Sequence, residues 1–284
     1  MSYTPIDLST VAAPDIVENI DYLTILQAMK DQMVELLPDF NAYLDSEPVV
    51  KALEVCAMRE MLLRQRVNDA ARAVMLASAT GGDLEQLAAL FGVTRKTDEA
   101  DTDLRYRTQL SLEGLSTAGP SGSYLFHALS VDGVKDASIT GPPTLSPGEV
   151  LVTLLGTTPS GAVNETTVQA VADALNAEDV RPITDHVTVQ SVTPVPYNIV
   201  ATIYTSSGPD SNVVLQSALA SAQTFADSRH KIGASVPLSG LYAALHVAGV
   251  ERVVLTTPAS DLATDYQSTP YCSGIEVTFG GTTE

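Results

Sequence analysis

The sequence predicts an α+β protein: an N-terminal helical arm followed by two small related α/β sandwich domains, built on an internal duplication of a helix-strand-strand unit. Three observations carry this expectation. The first is a repeat. Residues 123–142 recur in weakened form at 239–258, sharing Ser123/Ser239, Leu125/Leu241, Ala128/Ala244, Leu129/Leu245, Val131/Val247, Gly133/Gly249, Val134/Val250, Thr140/Thr256 and Pro142/Pro258, nine identities in twenty positions. Self-similarity at a fixed offset sets the architecture. The second is a change of period inside each copy: apolar residues at helical spacing run to a glycine, Gly133 or Gly249, after which side chains alternate as in a strand. The third is the helical spacing of apolar residues throughout the first eighty positions.

The elements follow in order. Asp21 can cap a helix from Tyr22 to about Leu44, with Ile25, Leu26, Met29, Met33, Leu36 and Leu37 as its apolar stripe. Glu47-Pro48 interrupts it, and Pro48 suits the first turn of a second helix reaching Leu76, about 43 Å long at 1.5 Å per residue. That helix is apolar on more than one side, and such a helix needs more than one neighbour. Its residues Leu53, Cys56, Leu63, Val67 and Val74 are therefore expected to meet partner chains. Gly81-Gly82-Asp83 punctuates the chain, with Asp83 expected to cap a short helix ending at Phe91-Gly92-Val93. Residues 96–101 are expected to form an exposed acidic linker, and Thr102 to start the next helix.

Beyond Gly119-Pro120 the first α+β domain is expected as a helix at 121–131, strands near 134–140 and 149–156, a helix at 164–178 and a strand at 186–193. The second is a strand at 196–205, helices at 211–229 and 238–247, and strands near 250–257 and 274–280. The domain expectation is thus 1–80 arm, 81–118 helical connector, 119–193 first α+β domain and 194–284 second. Gly133 and Gly249 should both hold positive φ, as structural glycines closing a helix before a strand.

Composition excludes several classes. At 284 residues and 45% hydrophobic, the chain can bury a sizeable core. No apolar stretch approaches a membrane span, and the N-terminus lacks the regions of a signal peptide. The net charge of −19 argues against nucleic acid, whose phosphates need clustered Lys and Arg. Residues 1–50 carry nine acids and one base, whereas residues 51–80 reverse the balance with Lys51, Arg59, Arg64, Arg66 and Arg72 against Glu54, Glu60 and Asp69. That basic helix suits either packing against acidic residues 15–47 or an ordinary solvated face. Cys56 lies among apolar helical residues and reads as a small core residue, distant from Cys272 and without a disulfide.

The search for chemistry comes out nearly empty. His127, His186, His230 and His246 have no metal-ligand spacing, and no His-Glu-x-x-His occurs. Gly156-Thr-Thr-Pro-Ser-Gly161 lacks the Gly-Lys-Ser/Thr ending of a phosphate loop and reads as a turn. Gly119-Pro-Ser121-Gly-Ser is a helix cap rather than a nucleophile elbow. Asp98, Glu99, Asp101 and Asp103 lack the glycine and distal glutamate of a calcium loop. No catalytic residue, cofactor or metal is expected.

An ordered series of residues then carries a family resemblance. Gly82-Asp83-Leu84-x-x-Leu87-Ala88-x-x-Phe91-Gly92-Val93-x-Arg95 is followed by Asp103-Leu104-Arg105-x-Arg107, by Gly119…Ser123-Tyr124…Ala128-Leu129…Gly133-Val134-x-Asp136-Ala137, and by the run from Gly148 to Gly156. This series resembles the baseplate J-like proteins, the wedge subunits of contractile phage tails and related injection machines. The opening, Ile6-Asp7-Leu8-Ser9…Ala13-Pro14-Asp15-Ile16, is similar to the temperate-phage branch of that family. The resemblance implies a structural virion protein of the tail baseplate, assembled in the host bacterial cytoplasm and without catalytic residues. It implies that N-terminal helices join a core bundle with other wedge proteins, tail protein I-like and lysozyme-like. Neighbouring copies would then pair through the C-terminal domains to close a ring around the tube and hub, next to the sheath. The rival classes are an enzyme of unrecognised type and an assembly chaperone or adaptor absent from the finished particle.

Overall fold

A computed structural model of the chain describes residues 6–12, 14–39, 41, 44, 46–116, 118–178, 180–206 and 210–283. Among these the chain forms eight α-helices and two three-stranded sheets, α+β as expected, in two compact units, residues 4–109 and residues 110–284.

The first unit is helical. α1 (Tyr22–Leu36) begins at Asp21, whose carboxylate accepts the Thr24 N–H at 2.7 Å. It stops short of Leu44 because Pro38 disfavours helical geometry at the residue before it, and Leu37 takes φ −132°, ψ 86°. α2 (Pro48–Ala73) starts on its proline, as expected, and packs against α1. Val50, Ala57 and Asn68 are its buried positions, and Ile25 is the buried residue of α1. Asn68 acts as a backbone clamp: its Oδ1 accepts the Glu18 N–H at 3.0 Å and its Nδ2 donates to the Glu18 carbonyl at 2.9 Å. Arg64 adds an ion pair to Glu18 at 3.3 Å, so the basic helix does hold an acidic segment of its own chain. Ala13, part of the opening similarity, lies outside the described residues.

α3 (Gly81–Ala89) begins three residues before the expected point, so Asp83 sits in the first turn rather than at the cap, where its charge still suits the helix dipole. α4 (Asp101–Gly114) follows. The segment between them is only in part the exposed linker expected from its acidity: Thr97, Asp98 and Ala100 are exposed, but the Glu99 side chain is not. Arg107 and Glu99 form an ion pair whose side chains are 6% and 3% exposed. The Arg107 Nε donates to Glu99 Oε1 at 2.6 Å, and its Nη2 donates to both Glu99 Oε2 and the Thr94 carbonyl. The Lys96 N–H also donates to Glu99. Arg95 spans Glu85, Asp101 and the Glu99 carbonyl, while Arg105 donates to the carbonyls of Leu76 and Ala79. Composition alone concealed this, because the partners are arginines on the flanking segment and on α4.

The second unit holds both sheets. α5 (Ser121–Leu129) starts after Pro120, so Ser121 is its first residue and not its cap. β1 (Val134–Thr140) and β2 (Glu149–Gly156) pair antiparallel, α6 (Glu165–Leu175) is capped by Asn164, and β3 (His186–Ser191) returns parallel to β2. β2 is central and buried from Leu151 through Gly156, as a strand covered on both faces should be. β4 (Thr193–Ser206), α7 (Ser211–Arg229), α8 (Leu238–Leu245), β5 (Val250–Thr257) and β6 (Ser268–Thr283) complete the chain. Val214, Ala218, Ala222 and Ala226 give α7 a smooth buried stripe at every fourth residue; Ala222 and Ala226 share a core with Ile199, Ala201, Leu241 and Leu245, while Val214 and Ala218 pack with Ile203 and Val250.

The two copies match through helix, glycine and edge strand: α5-Gly133-β1 against α8-Gly249-β5. The next strand does not pair the same way in both. β2 lies beside β1, whereas β6 is separated from β5 by β4, since the sheet orders are β1-β2-β3 and β5-β4-β6. In each sheet the central strand has an antiparallel neighbour from the repeated segment and a parallel neighbour at the other edge. The central strand and its helix follow the repeated segment in one copy, as β2-α6, and precede it in the other, as β4-α7. Local periodicity identifies strands but not their neighbours, so this exchange was hidden.

Gly133 and Gly249 have φ of +86° and +93°. A Cβ at Gly133 would meet Thr167 only at 3.5 Å, so backbone conformation rather than space demands glycine there. Valine at either position should destabilise its domain by about 1–3 kcal/mol, measured by denaturant unfolding. Burial pushes the Glu99 carboxyl up, but the bonds from Arg107 and Lys96 outweigh it and hold the group below its ordinary 4.5. Such a carboxyl adds stability that is present above its unfolded value and lost as pH falls through its folded one. Thermal scans should therefore show an acid-induced loss below about pH 4.5 that is smaller in Glu99→Gln. Glu99→Ala, which strands a buried guanidinium, should cost about 3 kcal/mol at neutral pH.

Candidate interaction surface

The broad apolar character of α2 resolves into one buried face and two exposed ones. Leu63 is 60% exposed, Val67 56% and Val74 70%. Cys56 is exposed as well, correcting its reading as a core residue: it points away from the face carrying Val50, Ala57 and Asn68. Leu53 is half-buried at the border between the two. Leu53, Cys56, Leu63 and Val67 thus lie along one side of the helix, and Val74 follows as its C-cap residue, just past Ala73. Val55, Met58 and Leu62, exposed on the opposite flank, were not singled out. Their own 3-and-4 spacing was the signal that could have found them. α1 continues this exposure with Leu23, Leu36 and Leu37.

An open cleft of about 790 Å³ lies in the second unit, lined by residues including Ser121, Tyr124, Asp136, Glu149, Asp185 and Ile232. The Tyr124 hydroxyl donates to Asp185 Oδ2 at 2.6 Å; burial first, and then that carboxylate, push the phenol above its usual range. Burial likewise raises Asp136. The lining holds Ser121 and Ser138 together with the carboxyl groups of Asp136, Glu149 and Asp185, and no His, Lys, Arg or Cys. The Gly156–Gly161 segment is a turn, closed by the Gly156 N–H donating to the Gly161 carbonyl at 2.7 Å. His127 and His230 contact the carbonyls of Gly114 and Pro270. Among the described residues no group of three or more His, Cys, Asp or Glu could hold a metal, and no helix is long and apolar enough to cross a membrane. Gly133 and Gly249 are turn residues, remote in role from any of these groups.

Family comparisons agree along most of the chain. The baseplate J-like N-terminal domain matches residues 45–101, the central domain residues 116–191 and the C-terminal domain residues 197–278. The chain is 41% identical to Baseplate protein J of Escherichia phage P2, over 98% of this chain and 99% of that protein. A chain in the cryo-EM structure of the anti-feeding prophage baseplate aligns with a TM-score of 0.41 at 14% identity, covering 65% of this chain and 43% of that one. The chain belongs to the baseplate J-like family.

Proposed function

We propose that this protein is a structural wedge subunit of a contractile tail baseplate, in a phage or a phage-derived injection machine, and not an enzyme. The identity to the phage P2 baseplate protein over nearly all of both chains supports the baseplate role. The observation that carries the mechanism is the exposure of apolar side chains along α2, Leu63 and Val67 on one side and Val55 and Leu62 on the other, with Val74 exposed just past its end. Burying a residue of this size is worth roughly 1.5–3 kcal/mol, so a helix with two such flanks gains most when other helices cover both.

In this reading residues 1–80 are the arm that enters a helical bundle with other wedge proteins, tail protein I-like and lysozyme-like. Residues 81–118 are the connector, and residues 119–193 and 194–284 are the domains that meet neighbouring copies, hub and sheath. Leu53, Cys56, Leu63, Val67 and Val74 form the partner contact. The protein assembles in the host bacterial cytoplasm and stays in the virion tail, where mass spectrometry of purified particles should find it; its absence there would instead favour a chaperone.

Leu63→Glu or Val67→Asp should block particle formation while leaving the unfolding of the second unit unchanged, because distant sites act independently. Deleting residues 1–76 should do the same. Contractile particles assembled by that deletion at normal yield would overturn the assignment.

A further inference from the structure

The cleft of the second unit runs along a free strand edge. Asp136, Ala137, Ser138, Ile139, Gly141 and Pro142 all line it. Successive side chains of a strand point to opposite faces, so a cavity that touches consecutive residues follows the edge of the strand and not one face. β2 occupies the other edge of β1, since the sheet order is β1-β2-β3, and the cleft therefore lies on the unpaired side. Past the irregularity between Val134 and Asp136 the pairing with β2 is regular as far as Thr140. Among the described residues, 135–140 make no backbone hydrogen bond outside that ladder. The start of α5, through Ser121, Tyr124 and Leu125, forms a second wall. A groove between an edge strand and a helix is the geometry in which an extended peptide adds as a further strand.

We infer that this groove takes an extended segment of a different protein chain, one that carries Lys or Arg and pairs with β1 as a fourth strand. The charge of the lining selects this occupant. Glu149 and Asp185 stand there with Asp136, and no Lys, Arg or His lines the groove. Glu149 accepts the Ser146 N–H and Asp185 the Tyr124 hydroxyl, yet neither forms an ion pair among the described residues. The Lys231 and Lys135 charges already reach Asp136, so the basic residues of the occupant belong at the Glu149 end. Leu125, Ile139 and Ile232 offer contacts to its alternate, apolar side chains. A second copy of this chain does not fit. Its edge strands β3 and β6 contain no Lys or Arg, while β1 and β5 each set an acid beside their one basic residue, Asp136 by Lys135 and Glu251 by Arg252. Main-chain bonds to β1 supply affinity, and the carboxylates supply the choice of partner.

This groove is separate from α2, and its test does not depend on the arm assignment. The probes are two end-blocked peptides, Val-Lys-Val-Lys-Val-Lys and Val-Glu-Val-Glu-Val-Glu, titrated into the full-length chain at low salt and followed by NMR of its backbone amides. The Lys peptide should move the amide signals of Ala137 and Ile139 and bind at least about fivefold more tightly than the Glu peptide. The preference should shrink at high salt. Two further Lys peptides carry N-methyl groups on all Val or on all Lys residues, which blocks alternate amides and so one edge of the added strand. One of these two should bind at least about tenfold more weakly than the parent. Glu149→Lys, an exposed exchange checked for unchanged melting, should weaken the Lys peptide at least about fivefold. Equal affinities, a preference for Glu, or binding of neither peptide would overturn the inference. Signals that move on β5 or β6 instead of β1, or full binding by both methylated forms, would overturn it as well. So would a dimer of the chain itself whose formation moves the Ala137 and Ile139 signals.

Discussion

The buried Glu99–Arg107 pair is the constraint on which the first unit's architecture turns. Taking two charges out of water costs several kcal/mol per ion, and their attraction offsets this only with good geometry and additional hydrogen bonds. Here both conditions are met: the guanidinium reaches the carboxylate through two nitrogens and also the Thr94 carbonyl, while the carboxylate accepts the Lys96 amide. The pair ties the segment after α3 to α4. Arg105, two residues earlier, ties the residues after α2 to the same helix through the Leu76 and Ala79 carbonyls. Arg95 completes the set, and Asp101 answers by accepting the Gly81 amide at the start of α3. Arginine suits this work because its rigid fork satisfies several acceptors at once, which a lysine could not. The Asp103-Leu104-Arg105-x-Arg107 motif therefore has a structural task.

That framework frees α2 to be something other than a core helix. One face is settled internally, by Val50, Ala57 and the Asn68 clamp on Glu18; the remainder is left apolar and uncovered. A monomer selected only for its own stability would gain nothing from exposing Leu63 and Val67, and in the proposed function that surface is one half of an interface. The C-terminal sheets follow a different economy. Each has a central strand held between an antiparallel and a parallel neighbour, and helices rich in small residues sit close to the sheet.

Much of this was legible beforehand, and the misses share a cause. Helix α7 and strands β1, β2 and β5 fall where periodicity put them, because each is a single amphipathic run between clear stop signals. The positive φ at Gly133 and Gly249 followed from the switch of period alone. What failed were properties that depend on a distant partner. Glu99 looked solvated because its guanidinium lies eight residues away on another element. Cys56 looked buried because its neighbours are apolar, although the inward face is set by where α1 packs. The pairing of β6 with β4 instead of β5 is a tertiary choice that no local pattern states. Within the candidate surface, the breadth of the apolar stripe pointed to Leu63 and Val67, which are exposed, while the second flank at Val55, Met58 and Leu62 emerged only once one face was known to be occupied.

The central claim is that the outer face of α2 is open in the free chain and covered in the assembled baseplate. Cys56 lies on that face and supplies a native reporter, with the half-buried Cys272 of the second unit as an internal reference. Maleimide labelling, read by mass spectrometry, should modify Cys56 readily in the isolated protein. In intact particles it should be at least about tenfold slower, as expected for a residue buried by tight helix packing. Equal labelling of Cys56 in both states would contradict the account.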